Sequence, residues 1–156
     1  MQYFLIIIAA VALDQIIKAV IVKSMELYET IPVIQDIFHI TYIRNTGAAF
    51  SMMEGLRGVL TVFPLIMILA GIVFLFVKRK NGHPLMLTSV ALIAGGGIGN
   101  LIDRIYYGYV VDFLDFRVFA IFNAADVFVC VGCGLLILYV LAFDGKQNEQ
   151  RNDLQS

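Results

Sequence analysis

Residues 59–80 read VLTVFPLIMILAGIVFLFVKRK, in which nineteen residues without a charge run directly into three basic residues. A helix needs roughly 20 mostly apolar residues to cross the hydrocarbon core of a bilayer. Lysine and arginine concentrate in the short cytoplasmic loops of membrane proteins. The stretch therefore predicts a transmembrane helix at residues 59–77 whose C-terminal end lies in the cytoplasm.

Three further stretches have the length and apolar composition of a membrane span, namely residues 3–22, 84–102 and 124–143. With the basic loop after residue 77 in the cytoplasm, both termini are expected there, and Lys146 and Arg151 agree with this orientation. Segments 23–58 and 103–123 would then face the outside. We expect residues 1–143 to form one transmembrane domain, followed by a polar cytoplasmic tail at residues 144–156.

The composition of the whole chain supports an integral membrane protein. Hydrophobic residues make up 60% and charged residues 15% of the 156 positions, against about 45–50% and about 25% in soluble domains. Intrinsic disorder is excluded, and an ordinary soluble domain is not expected. The net charge of −1 and the lack of a long basic stretch argue against nucleic acid as a partner. A cleavable signal peptide is not favoured either, because no basic residue precedes the first apolar run.

The two outer segments contain strand-like sequence. Residues 36–44 read DIFHITYIR, and residues 109–121 read YVVDFLDFRVFAI. Both are rich in β-branched and aromatic residues, and both are too polar or too short to span a bilayer. The predicted fold is therefore a mostly α, polytopic membrane protein with four transmembrane helices and a small extracytoplasmic β-element.

Ionisable residues at membrane depth are costly, so each one needs an explanation. Asp14 and Lys18 lie four residues apart in the first span and can pair on one helix face. The pair is either purely structural, or Asp14 also helps to hold part of a functional site in place. At the end of the third span, Arg104 suits interfacial anchoring, whereas Asp103 opposes the helix dipole and is expected to have a partner.

Two acids stand out in the second outer segment and the span that follows it. Asp112 lies in the apolar stretch VVDFL, where partial desolvation would raise the pKa of its carboxyl group. Asp126 opens the fourth span three residues after Asn123, a spacing that also fits a simple helix cap. Because the intervening segment leaves and re-enters the same membrane face, both acids can lie at one depth. Two close carboxylates share one proton, as in aspartic proteases.

Other motifs have simpler explanations. The motif Cys130-Val-Gly-Cys133 lies inside an apolar helix, which favours packing over redox chemistry. Gly95 and Gly99 have the GxxxG spacing of close helix contacts. Asn100 follows them, and a buried amide needs a partner. In RNTGAAF, residues 44–50, Asn45 and Gly47 suit a turn against which an extended peptide could lie.

Four blocks of the chain, in order, resemble signature blocks of lipoprotein signal peptidase, also called signal peptidase II. They are RNTGAAF at 44–50, GNLIDR at 99–104, GYVVDF at 108–113 and FNAAD at 122–126. Asp14 and Lys18 fit the DQxxK pattern of the family's first helix. The resemblance extends to about residue 143, although the segment between Asp112 and Asp126 is short for the family.

The resemblance implies a bacterial plasma-membrane aspartic endopeptidase without a metal or other cofactor. It implies removal of the signal peptide from diacylglyceryl-modified prolipoproteins, on the amino side of the lipidated cysteine. The catalytic pair maps onto Asp112 and Asp126. Supporting or substrate-binding positions map onto Asn45, Gly47, Asn100, Asp103, Arg104, Asn123, Asp14 and Lys18. Globomycin-type cyclic peptides are expected inhibitors, and a monomer is expected.

Three alternative hypotheses remain at the level of sequence. A small proton-coupled transporter would make Asp14 the essential residue, facing a water path. A thiol oxidoreductase would depend on Cys130 and Cys133. A purely structural membrane protein would tolerate asparagine at every acidic position. Each hypothesis predicts a different set of inactivating substitutions.

Overall fold

The computed structural model describes residues 1–47 and 57–144 of the chain. The predicted features at Ala48–Phe50 and in the tail beyond Asp144 lie outside the described residues. Within the described residues, four α-helices and three β-strands follow one another as α1 (Gln2–Ser24), β1 (Thr30–Ile34), β2 (Phe38–Asn45), α2 (Arg57–Lys78), α3 (Pro84–Tyr106), β3 (Val110–Asp115) and α4 (Ala124–Tyr139). One π-helical turn, Val140–Asp144, extends α4. All four helices are long and apolar enough to span a membrane, as predicted.

Helix α3 is the centre of the bundle, because it contacts each of the other three helices. Its glycines make these contacts close. A Cβ atom on Gly95 would lie 2.9 Å from the Cβ of Ala10 in α1, and a Cβ on Gly96 would overlap the main-chain oxygen of Ala125 in α4. A Cβ on Gly99 would lie 2.5 Å from a carboxylate oxygen of Asp14. The predicted role of the glycine run in helix packing is confirmed.

A methyl group at Gly96 should therefore destabilise the protein. In Gly96→Ala the new Cβ meets main-chain atoms of Ala125, so α3 and α4 must separate, at a cost of about 1–3 kcal/mol. The matched control is Gly134→Ala, where a Cβ has open space around it and alanine favours the helix. Thermal unfolding in detergent, followed by circular dichroism, should show a lower Tm for the first variant only. Equal Tm values would contradict this packing.

The three strands form one antiparallel sheet in the order β1-β2-β3, so the two outer segments meet. Strand β2 agrees with the predicted strand at residues 36–44. The predicted strand at residues 109–121 is too long, since β3 ends at Asp115. There the Asp115 carboxylate accepts a hydrogen bond from the Arg117 main-chain N–H at 2.9 Å, and Arg117 has a positive φ of 63°. The chain turns at this point and pairs again only at Phe122, opposite Leu114.

A small apolar cluster attaches the sheet to the end of α1. Met25, the residue after α1, is buried together with Tyr42 of β2 and Val111 of β3. Because successive residues of a strand point to opposite faces, burying Val111 against α1 turns its neighbour Asp112 toward the other side. The packing of β3 thus sets the direction of that carboxylate.

Candidate active site

Asp112 projects from the middle of β3 and is almost fully buried, with 2% of its surface exposed. Each of its carboxylate oxygens accepts one hydrogen bond from an amide. Asn45 Nδ2 lies 2.9 Å from Oδ2, and Asn123 Nδ2 lies 2.6 Å from Oδ1. Burial, with a smaller contribution from the charge of Asp126, raises the pKa of Asp112 to about 6 despite these donors. The carboxyl group can therefore hold a proton close to neutral pH.

Asp126 lies in the first turn of α4. The side chain of Asn123 accepts a hydrogen bond from the Asp126 main-chain N–H, and Oδ2 of Asp126 accepts one from the Asn123 main-chain N–H, both at 3.1 Å. This is the predicted capping box. The second oxygen, Oδ1, accepts a hydrogen bond from Asn100 Nδ2 at 2.8 Å. Asp126 is thus both a helix cap and part of a polar cluster in the bundle.

Asn123 connects the two acids. Its Nδ2 donates to Asp112 and also to Asn100 Oδ1, 3.0 Å away, while its Oδ1 accepts from Asp126. Every polar atom of this fully buried side chain has a partner, so its orientation is fixed. Since its main-chain N–H also binds Asp126, one residue holds both carboxylates in place.

Lys18 supports this arrangement from α1. Its ammonium group lies 2.9 Å from Asp14, 3.0 Å from Asp103 and 2.9 Å from the side-chain oxygen of Asn100. These three acceptors match the three N–H groups of the lysine. The Asp14–Lys18 pair predicted from the sequence is present, and the predicted partner of Asp103 is the same lysine. Asn100 in turn donates a hydrogen bond to Asp126, which links Lys18 to that acid.

The two supporting acids each fix the main chain next to one of the central acids. Asp103 accepts a hydrogen bond from the N–H of Val111 at 3.0 Å, and Asp14 accepts one from the N–H of Ala125 at 2.9 Å. Val111 directly precedes Asp112, and Ala125 directly precedes Asp126. Asp14 and Asp103 therefore set the positions of β3 and α4 relative to each other.

Sequence reasoning missed Gln15 as a member of this network. Its Nε2 contacts Asp103 Oδ1 at 3.0 Å, the carbonyl oxygen of Gly99 at 3.1 Å and Asp14 Oδ2 at 3.2 Å. The signal was present, because glutamine stands between Asp14 and Lys18 in the DQxxK pattern. The cost of burying a charge does not mark an uncharged side chain, so only the DQxxK pattern carried this signal.

A cavity of about 460 Å³ opens beside the two acids. Its polar wall contains Asn45, Arg104, Asp112 and Asp126. Its apolar wall comes from the turn after β3 and from α4, and consists of Phe119, Ala120, Ile121, Phe122, Val127, Cys130 and Val131. Gly47 lies outside this wall and donates its N–H to Asn45 Oδ1 at 3.0 Å, which leaves the Asn45 amide N–H for Asp112.

A second, larger cavity of about 660 Å³ lies between α2, α3 and α4. Its lining is apolar except at one end, where Asn100 and Arg104 contribute. Arg104 also lines the first cavity, so this residue contributes to both cavities. The site thus combines two acids and one cation with two cavities whose walls are largely apolar.

The cysteine motif requires a correction. Packing was predicted for Cys130 and Cys133, but both side chains are exposed on α4. The buried residue of this segment is Gly132, where a Cβ would lie 2.8 Å from the main-chain oxygen of Ser89 in α3. The helix turns its glycine, not its cysteines, toward the neighbouring helix.

The chain is similar to known membrane proteins along most of its length. The family description "Signal peptidase (SPase) II" matches residues 6–142. The chain is 42% identical to the lipoprotein signal peptidase of Halothermothrix orenii, over 88% of this chain and 93% of that protein. It is 43% identical to the one of Brevibacillus brevis, over 95% and 99%. A solved bacterial membrane enzyme superposes with a TM-score of 0.83 at 33% identity, covering 90% of this chain and 87% of that chain.

Proposed function

The chain belongs to the signal peptidase II family of multi-pass membrane aspartic proteases, which process the signal peptides of prolipoproteins, and we propose that Asp112 and Asp126 are its catalytic pair. The observation that carries the proposal is the double role of Asn123, which binds both carboxylates at the wall of one cavity. No other pair of acids among the described residues lines that cavity. Asp112→Asn and Asp126→Asn test the pair, and each should remove most of the cleavage activity.

The pair would work with one shared proton. Asp112, whose pKa is raised to about 6, is the protonated member. Asp126 is the ionised member, since it accepts two N–H donors at the N-terminus of a helix, where negative charge is stabilised. An acid and a base would then line one cavity of about 460 Å³, which is large enough for a water molecule and a peptide carbonyl.

Hydrolysis then follows in two steps. In the first, Asp126 takes a proton from water as the water oxygen attacks the scissile carbonyl carbon, and Asp112 gives its proton to the carbonyl oxygen. In the second, Asp126 gives that proton to the leaving nitrogen, and Asp112 takes one from a hydroxyl of the gem-diol as the C–N bond breaks. The products are a carboxylic acid and an amine, and both aspartates return to their starting states.

The cavities suggest how the substrate lies. The apolar signal segment and the acyl chains would enter sideways from the bilayer, because both cavities have apolar walls. Asn45, Asn100 and Arg104, which line these cavities, would bind peptide or ester carbonyls. Cleavage on the amino side of a diacylglyceryl cysteine would follow if the lipid chains and the signal segment leave that bond beside the acids.

We further propose that both termini are cytoplasmic and that the active site lies near the outer face. Residues 1–143 would form the catalytic domain and residues 144–156 a cytoplasmic tail.

In a Cys130→Ser/Cys133→Ser background, a membrane-impermeant maleimide should label Asp36→Cys in intact spheroplasts. It should label Asn81→Cys only after permeabilisation. The opposite labelling pattern would reverse the orientation.

The proposed proton state predicts a definite pH profile. Because Asp112 must be protonated in the free enzyme, kcat/KM should fall as the pH rises above about 6. In Asn45→Ala, loss of an N–H donor removes a contact that favours ionised Asp112, so its pKa rises. The fall in kcat/KM should then begin at a higher pH than in the wild-type enzyme.

Each profile is compared after scaling to its own maximum, since Asn45→Ala is also expected to lower the absolute rate. Asn81→Ala, in the loop at the opposite end of the helices, is the matched control and should leave the profile unchanged. A kcat/KM that rises instead of falling as the pH increases through about 6 would show that Asp112 acts in its ionised form. The proton assignment would then have to be exchanged between the two acids.

Two expectations about partners belong to the same proposal. A globomycin-type cyclic peptide should compete with substrate, raising KM without lowering kcat, because both would occupy the cavity beside Asp112. The enzyme should also act as a monomer, so light scattering of the active detergent complex should give the protein mass of one chain. Noncompetitive inhibition or a dimer mass would contradict these expectations.

A further inference from the structure

A groove of about 270 Å³ lies on the other side of β3 from the active-site cavity. It runs along one face of α1 and is closed by the end of α3 and the start of β3, and its lining includes Lys18, Ala19, Val22, Lys23, Tyr107 and Val111. The alternation of side chains along β3 explains the separation, since Val111 faces this groove and Asp112 faces the catalytic cavity.

We propose that this groove binds the phosphate group of an anionic phospholipid from the membrane leaflet on the active-site side. The proposal does not depend on the catalytic roles of Asp112 and Asp126. It rests on the groove's position at the membrane boundary and on the cation at its mouth. It also rests on the Lys18 ammonium group at its floor, whose hydrogen-bonding capacity is already filled.

The groove lies at the membrane boundary. The spans of α1 and α3 end at Ser24 and Tyr106, and Lys23 and Tyr107 are the adjoining residues at the groove. Both side chains are exposed. Tyrosine concentrates at the depth of the lipid headgroups, and Tyr107 stacks on Tyr109 with 5.7 Å between ring centroids. A ligand held here would therefore have its polar group at headgroup depth.

The cation available to such a ligand is Lys23. Lys18, on the floor, has its three N–H groups taken by Asp14, Asp103 and Asn100, so it cannot also bind a phosphate. Lys23 has no ion pair among the residues of 1–47 and 57–144. A second cation lies close by, since the Arg44 guanidinium stands 4.9 Å from the centre of the Tyr109 ring and also lacks an ion pair in that part of the chain.

The remaining walls fit the rest of a phospholipid. Ala19, Val22 and Val111 give the groove an apolar side, and Ala19 and Val22 are exposed along the membrane-facing surface of α1. Acyl chains could therefore continue along that helix into the bilayer. A free phosphate ion would use only the mouth of the groove, whereas a lipid would use its full length.

The absence of tryptophan from the chain permits a direct test. Val22→Trp places a single fluorophore in the groove wall. Tyr106→Trp, an exposed residue at the same boundary but outside the groove lining, is the matched reporter. Each variant is reconstituted in phosphatidylcholine vesicles that contain a minor fraction of brominated phosphatidylglycerol or of brominated phosphatidylcholine. Quenching by the two brominated lipids is then compared.

At the Val22→Trp reporter, we expect brominated phosphatidylglycerol to quench about fivefold more than brominated phosphatidylcholine, as one or two basic residues near the surface allow. At Tyr106→Trp, we expect the two lipids to quench equally. Adding Lys23→Gln should abolish the preference, whereas adding Lys80→Gln, at the other end of the helices, should leave it. Equal quenching by both lipids at Val22→Trp would overturn the proposal, and so would a preference that survives Lys23→Gln. Loss of the preference when inorganic phosphate is added would also overturn it, because the site would then recognise the free ion.

Discussion

Replacement of Asp112 or Asp126 by asparagine is expected to lower the rate of prolipoprotein cleavage at least about 10³-fold. Asparagine has the shape of aspartate but can neither hold the shared proton nor take one from water. Both steps of the proposed hydrolysis need both carboxyl groups, so each single substitution should remove most of the catalysis. The measurement is cleavage of a purified diacylglyceryl-modified prolipoprotein by the purified enzyme in detergent.

Folding must be separated from chemistry in this experiment. Asp112→Asn removes a buried carboxyl group but leaves an oxygen to accept one of its two amide donors, so its Tm should stay close to the wild-type value. Asp126→Asn keeps an oxygen for the helix cap. A folded Asp112→Asn or Asp126→Asn variant that cleaves within tenfold of the wild-type rate would disprove the catalytic pair.

The matched control is the Cys130→Ser/Cys133→Ser variant. Cys130 lines the same cavity as the two acids, one helical turn beyond Asp126, but has no place in the proposed chemistry. This variant should therefore retain most of the wild-type rate. Its inactivity would mean that the cysteine thiols are needed for cleavage, which the proposed chemistry does not allow.

The sequence indicated the acids because an ionisable residue in apolar surroundings is expensive and must have a cause. That reasoning found Asp14, Asp103, Asp112 and Asp126 without any knowledge of the fold. It could not find Gln15, whose side chain carries no charge and whose three acceptors come from two different helices. It also could not show that Asp14 and Asp103 bind the main chain beside each central acid, since those contacts depend on how α1, α3 and β3 pack.

The strands show the same division between local and tertiary information. Strand β2 could be predicted from alternating residues of one short segment. Strand β1 reads TIPVI, in which four β-branched residues favour a strand but Pro32 interrupts the run, and all five residues are exposed. Its pairing with β2 decides its conformation. The end of β3 at Asp115 likewise depends on a side-chain contact with the following turn rather than on strand propensity.

Removal of the Lys18 ammonium group should have the largest effect on stability. In Lys18→Met the side chain keeps most of its length, but Asp14 and Asp103 remain buried without the cation that lies 2.9 Å and 3.0 Å from them. Leaving one side of a buried ion pair uncompensated costs about 3–5 kcal/mol. Denaturation in detergent, followed by circular dichroism, should show a loss of this size.

The control for charge alone is Lys80→Met, because Lys80 is exposed in the basic loop after α2. Its free energy of unfolding should change by less than about 0.5 kcal/mol. The double variant Lys18→Met/Asp103→Asn removes one of the two unpaired acids and should recover part of the loss. A Lys18→Met protein as stable as Lys80→Met would mean that the acids are not held by this lysine.

Because the same ammonium group also binds Asn100, the partner of Asp126, Lys18→Met should lower the cleavage rate even at temperatures where the variant is still folded.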